Sequence, residues 1–140
     1  MATISITTLI DVLGALTHDT LSGSLYMMDN NKANGSTDLG TEFLKTSARK
    51  GDRLVWTVGA LEAESRARIV AIEIDEEYCA PREKTYEGTD VTYWVGTVKK
   101  RIDKTLPYAL KLKVATRDAE MTTPTPASAA LSPCLIGPGE

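Results

Sequence analysis

The densest set of hard oxygen donors in the chain is the run Asp29-Asn30-Asn31-Lys32-Ala33-Asn34-Gly35. Carboxylate and amide oxygens at this density are the ligands calcium selects. An EF-hand loop opening at Asp29 would need an oxygen ligand at its fifth position, glycine at its sixth and glutamate at its twelfth, where the chain has Ala33, Asn34 and Gly40. That motif is excluded, and the run reads first as an Asx-rich turn joining two strands. The alternative kept open is a looser ligand or calcium site, with Asp29, Asn31 and Asn34 as polar ligands and a neighbouring loop completing the shell.

Paired carboxylates can do acid–base work when burial or a neighbour holds one of them protonated, and Glu73, Asp75, Glu76 and Glu77 offer the residue types. Alternation at a strand end puts Glu73, Asp75 and Glu77 on one face, where repulsion favours water, so a solvated face is expected. His18 is the only histidine, which excludes a multi-histidine metal site. Nothing in the sequence brings it to Cys79, and Cys79, just before Pro81, reads as a buried, inert thiol. Cys79 and Cys134 lie too far apart to suggest a disulfide framework or a four-ligand zinc site; a reducing cytoplasm fits them best. Nucleophile-elbow, phosphate-loop and dinucleotide glycine motifs are all absent. No catalytic residue is assigned and no cofactor is expected, so the reading leans to a non-enzymatic protein while leaving an enzyme or accessory role open.

Lys99-Lys100-Arg101-Ile102-Asp103-Lys104 follows the aromatic pair Tyr93-Trp94, a combination that can hold single-stranded nucleic acid by phosphate contact and base stacking. The cluster is short and contains Asp103, and the chain carries a formal charge of −3, so a solvated hairpin turn with edge-protecting lysines is preferred and no nucleic-acid partner is expected. Trp56 and Trp94 read as core or interface anchors. Either Trp56 or Trp94, if exposed, would make a stacking surface for a sugar, with a glycan or small molecule as partner and Trp94 as the ligand-binding candidate.

The elements that position these residues follow mostly a period of two. Leu106, Tyr108, Leu110, Leu112 and Val114 fall on one face of a strand, opposite Ala109, Lys111 and Lys113. Leu54-Trp56-Val58 and Val70-Ile72-Ile74 alternate likewise, and residues 91–98 are rich in β-branched and aromatic types. Further strands are expected over Ile4–Leu13, Ser24–Met28 and Glu42–Ser47. Turn signals at Ser22-Gly23, Asn34-Gly35, Lys50-Gly51-Asp52 and Ala80-Pro81 punctuate them. The expected fold is all-β, an antiparallel sandwich of about seven to eight strands. It should occupy residues 1–120, followed over 121–140 by a Pro/Thr/Ala-rich tail or edge segment anchored only by Leu131, Leu135 and Ile136 and adding nothing to the core. Neither a basic leader nor an apolar run of membrane-spanning length is present, so a cytoplasmic protein with no membrane partner is expected.

Several of these segments recur in order: Ile10-Asp11-Val12, residues 22–32 around Leu25-Tyr26-Met27-Met28-Asp29-Asn30-Asn31-Lys32, Gly51-Asp52 leading to Trp56, Cys79-Ala80-Pro81, and Tyr93-Trp94-Val95-Gly96. Together they resemble the bacterial AidA/PixA inclusion-body protein family from about Ile10 to Met121. The resemblance implies a β-sandwich, often dimeric, in proteins that accumulate as inclusions or are switched on by quorum sensing. It supplies no catalytic residues. The chain departs from the family where Met121 leads into Thr122-Thr123-Pro124 in place of an aromatic-containing segment and a last strand. The partner expected on this reading is the protein itself, as a homodimer or higher assembly, with Tyr93, Trp94 and Tyr108 as interface candidates.

Overall fold

In the computed structural model the described residues are 2–21, 23–89, 91–116, 120–124 and 133–137. Their architecture is all-β with one short helix, built as sheets of five, three and three strands. The largest has the order β2-β1-β4-β7-β6, formed by Leu25–Asp29, Thr3–Ile10, Arg53–Ala60, Thr92–Thr97 and Arg82–Thr85. The second joins β10 (Glu120–Pro124), β9 (Ala109–Ala115) and β5 (Arg66–Glu73), and the third joins β3 (Lys45–Ser47), β11 (Cys134–Ile136) and β8 (Leu106–Pro107).

The expectation of an antiparallel fold of about seven to eight strands is corrected in two ways. β1 runs parallel to β4, and β11 runs parallel to β3, so the sheets are mixed. Eleven strands are present among the described residues: β6, with all four residues exposed, and the three-residue β11 are additional to those expected, β10 forms in the Pro/Thr/Ala-rich segment, and the strand expected from Leu106 divides into β8 and β9.

Ile4, Ile6 and Ile10 of β1, with Thr8 among them, point into the core beside Leu54 and Trp56 of β4. Opposite them lie Ile69 of β5 and Leu110, Leu112 and Val114 of β9, while Lys111 and Lys113 face out. That strand therefore has the expected inward face, but it is broken at Tyr108, whose N–H donates to Pro133 while β8 pairs with β11 and β9 with β5. Pro107 lacks an N–H and favours such a break. In β5 a bulge between Ile69 and Ala71 leaves Val70 exposed, so Ile69 is the buried residue where the sequence pattern pointed to Val70.

The strand expected over Ile4–Leu13 stops at Ile10. Asp11 caps a helix, α1 (Val12–His18), its Oδ1 accepting the Gly14 N–H at 3.0 Å. The Glu62 carboxylate, from the connection after β4, accepts the Val12 and Leu13 N–H groups at 2.9 and 3.2 Å. Two carboxylates thus satisfy orphan donors at one helix end, which overrides the modest propensity of a segment containing Gly14 and Thr17. Gly14 is required there: a Cβ would stand 2.6 Å from Asp11 Oδ2.

The segment beyond residue 120 also corrects an expectation. β10 is an edge strand on β9, but β11 is the central strand of its sheet, and Cys134 and Leu135 are buried in the core. Leu131 and the Ser22 turn position lie outside the described residues.

Candidate functional site

The loop from Asp29 to Gly35 leaves β2 and crosses to β3. Asp29 Oδ1 accepts the Asn31 N–H at 2.8 Å, an Asx turn, while its Oδ2 accepts the Thr46 hydroxyl at 2.8 Å. Asn31 Nδ2 donates to the Ser47 carbonyl at 2.6 Å, and its Oδ1 accepts from Asn34 Nδ2 at 2.7 Å. A 3₁₀ turn, Lys32–Asn34, closes on Gly35, whose φ of 112° is open to glycine at little cost. Asn31 and Asn34 line a small cleft of about 210 Å³ together with Ser47, Arg49 and Asp52, and Asp29 lies beside it, bonded to the Asn31 N–H.

These polar atoms are engaged in bracing the loop. Asp52 is similarly committed, its two carboxylate oxygens accepting the Ala2 and Arg49 N–H groups at 3.0 and 2.9 Å. Calcium requires 6–8 oxygens at once. Among the described residues no group of three or more His, Cys, Asp and Glu side chains is placed to hold a metal ion.

Trp94 does not join this loop. Register aligns Asp29, Ile6, Trp56 and Trp94 in one row across four strands, so Asp29 and Trp94 stand three strand spacings apart, about 14 Å. Trp94 is half-buried, and its Nε1–H donates to the Ile69 carbonyl at 3.1 Å, linking two sheets. Tyr93 points to the opposite face and is half-buried. Tyr108, read from the sequence as an interface residue, is instead core: it is 3% exposed and meets Trp56 edge-on with ring centroids 5.8 Å apart. Its position between two sheets, which alternation alone does not reveal, is the reason. Burial pushes its phenol well above the usual tyrosine range. Its hydroxyl, Trp56 Nε1 and Thr8 Oγ1 are buried with no hydrogen-bond partner among the described residues.

The cysteine and histidine candidates stay apart in character. His18 is exposed at the end of α1, while Cys79 is fully buried and its thiol is pushed up to about 11 by desolvation, against the opposing pull of Lys99. Burial likewise raises the Cys134 thiol. At both sulfurs burial disfavours the thiolate, which is the nucleophilic form.

The acidic run at residues 73–77 and the basic run at residues 99–104, distant in the chain, are joined by the fold. Glu77 pairs with Lys100 at 3.3 Å, Lys99 Nζ donates to the Glu76 carbonyl at 3.0 Å, and Lys100 lies 4.5 Å above the Tyr78 ring, whose hydroxyl donates to Asp103. The Glu77 contact holds the Lys100 ammonium above its ordinary range. The basic run is the link from β7 to β8, not a hairpin turn, because those strands belong to different sheets. Only the opposite signs of the two runs hinted at this pairing.

Comparison with known proteins completes the picture. A family model described as "Domain of unknown function (DUF8788)" matches residues 2–121. No curated protein matches the chain. Among solved structures, the chain is similar to the crystal structure of the inclusion body protein PixA from Burkholderia cenocepacia J2315, with a TM-score of 0.69 over 86% of this chain and 87% of that one, at 15% identity. The all-β fold of this chain is thus shared with a solved inclusion body protein. No described helix is long and apolar enough to cross a membrane.

Proposed function

The chain belongs to the DUF8788 family, and from this membership joined to a PixA-like fold we propose that it is a non-enzymatic, self-associating protein of the inclusion-body type. The observation that carries the reading is the structural correspondence with an inclusion body protein along 86% of the chain.

The surface that would meet a second copy is the outer face of the five-stranded sheet, the sheet that, layered on β5 and β9, gives the sandwich arrangement we infer. Cross-strand rows there place Ser5, Val55 and Val95 side by side, with Thr7 and Thr57 in the next row and Tyr93 beyond. Val55, Tyr93 and Val95 are only half-buried, and the threonines are small and flat, so the face can stack on its own copy about a two-fold axis. Direct edge pairing is the weaker route: β6 ends that sheet with Arg82, Glu83, Lys84 and Thr85 all exposed, charges of the kind that blunt strand edges.

Native-level expression with cell imaging, followed by light scattering on the purified chain, tests the reading. Inclusions in cells and a dimer or larger species in solution are expected, with Val95→Lys giving folded, diffuse monomer. Wild-type protein that stays diffuse and monomeric overturns it.

A further inference from the structure

The Asn34-Gly35 pair, which marks a turn in the sequence, plays no part in the self-association surface. It has a chemistry of its own. An asparagine side-chain carbonyl is open to attack by the backbone nitrogen of the next residue, and glycine, with no Cβ, leaves that nitrogen least hindered. Of the three asparagines in the chain, Asn30, Asn31 and Asn34, only Asn34 precedes a glycine, and there is no glutamine.

The fold itself asks for this pair. Residue 35 closes the turn Lys32–Asn34 with a φ of 112°, where glycine costs least. Residue 34 supplies a donor: Asn34 Nδ2 bonds Asn31 Oδ1 at 2.7 Å, and Asn31 in turn ties the loop to the Ser47 carbonyl at 2.6 Å. Two hydrogen bonds also hold the pair out of reaction. Asn31 restrains the side-chain amide, and the attacking Gly35 N–H is occupied by the Lys32 carbonyl at 3.2 Å. Little else resists their release, because Lys32, Ala33, Asn34 and Gly35 are all exposed and the turn buries none of its side chains. Short turns with solvent-accessible hydrogen bonds open at small cost.

We propose that Asn34 is a site of spontaneous deamidation whose rate is gated by the Asn31 side chain. With the turn open, the Gly35 nitrogen attacks Asn34 Cγ. A C–N bond forms, the Cγ–Nδ2 bond breaks, and the amide group leaves as ammonia with the proton of the Gly35 nitrogen, closing a succinimide. Water then adds to either imide carbonyl and reopens the ring to aspartate or isoaspartate; nothing is oxidised or reduced. Aspartate puts a carboxylate oxygen where the Nδ2 donor met Asn31 Oδ1, so that bond is lost. Isoaspartate also lengthens the main chain by one methylene inside the turn. Either product loosens the link between β2 and β3. The step needs no second copy, so it stands or fails apart from self-association.

The purified full-length chain, incubated folded in mildly alkaline buffer and sampled over weeks, is digested and mapped by mass. Conversion at residue 34 into aspartyl and isoaspartyl peptides, with Asn30 and Asn31 intact, is expected. Asn31→Ala should speed it about fivefold, the factor that one ordinary hydrogen bond corresponds to, while Thr122→Ala leaves the rate unchanged. Asn34→Asp, which carries the aspartyl product from the start, should speed hydrogen exchange at the Gly35 amide, a readout that holds even where Asn31→Ala fails to fold. An Asn34 that stays intact in the folded chain overturns the proposal. A rate indifferent to Asn31→Ala in folded protein, or Gly35 exchange unchanged by Asn34→Asp, overturns the gating by Asn31.

Discussion

Leu135→Ala tests whether the end of the chain is part of the fold. Leu135 is fully buried in β11, paired with Thr46 of β3 and Leu106 of β8. Truncation to alanine removes three carbons, roughly 2.4 kcal/mol of transfer free energy at about 0.8 kcal/mol per group. If a residual cavity of about 50 Å³ survives relaxation, at about 24 cal/mol per Å³ it adds about 1.2 kcal/mol. The expected loss is therefore about 3–4 kcal/mol, a large share of the stability of a domain this size. Urea unfolding followed by tryptophan fluorescence reads it directly, since Trp56 is fully buried and Trp94 half-buried. The midpoint should fall with the slope unchanged. Thr122→Ala, at an exposed position of β10, should stay within about 0.5 kcal/mol. A Leu135→Ala loss below about 1 kcal/mol would place residue 135 outside the core and refute the reasoning.

Three further outcomes follow from local geometry. Gly96→Ala builds a Cβ 3.2 Å from Pro81 Cα and closer still to Cys79 Sγ, so thermal unfolding should show a loss of about 1–3 kcal/mol; Gly59→Ala, with only Leu9 Cδ2 at 3.6 Å, should be milder. With its thiol at about 11 against an ordinary 9.0, Cys79 should react with iodoacetamide about 100-fold more slowly in native protein than after unfolding at pH 8, and comparable rates would remove the buried-thiol assignment. The Gly14 N–H and the Glu62 contact hold the Asp11 carboxyl below its usual range, so its contribution is present above the unfolded pKa and is lost as pH falls through the folded one. Asp11→Asn keeps a capping side chain, so its deficit relative to wild type should be largest near neutrality and shrink on acidification; a pH-independent difference would contradict this.

The inward faces of β4 and β9 were legible because Leu54 and Trp56, and Leu110, Leu112 and Val114, recur at every second position along their strands. The Asp29–Asn34 turn was legible too, since Asp29 bonds the Asn31 N–H and Asn31 the Asn34 amide, contacts two and three residues apart, whereas its anchoring to Thr46 and Ser47 was not. Helix α1 was not, because half of its N-terminal capping comes from Glu62 across the fold. Nor was the role of Tyr108, whose burial depends on two sheets meeting there, or the joining of the Glu76-Glu77 and Lys99-Lys100 runs around Tyr78.

By itself the sequence determined an all-β chain with a single histidine and two separated cysteines, properties carried by residue type and short-range periodicity. Only the tertiary structure decided that β1 and β4 run parallel, that β11 is a central strand and that the Glu76-Glu77 and Lys99-Lys100 runs meet around Tyr78. Strand direction, insertion of a short strand and clustering of distant charges are set by which backbones find each other's hydrogen bonds. That pairing leaves no trace in the alternation of any single strand.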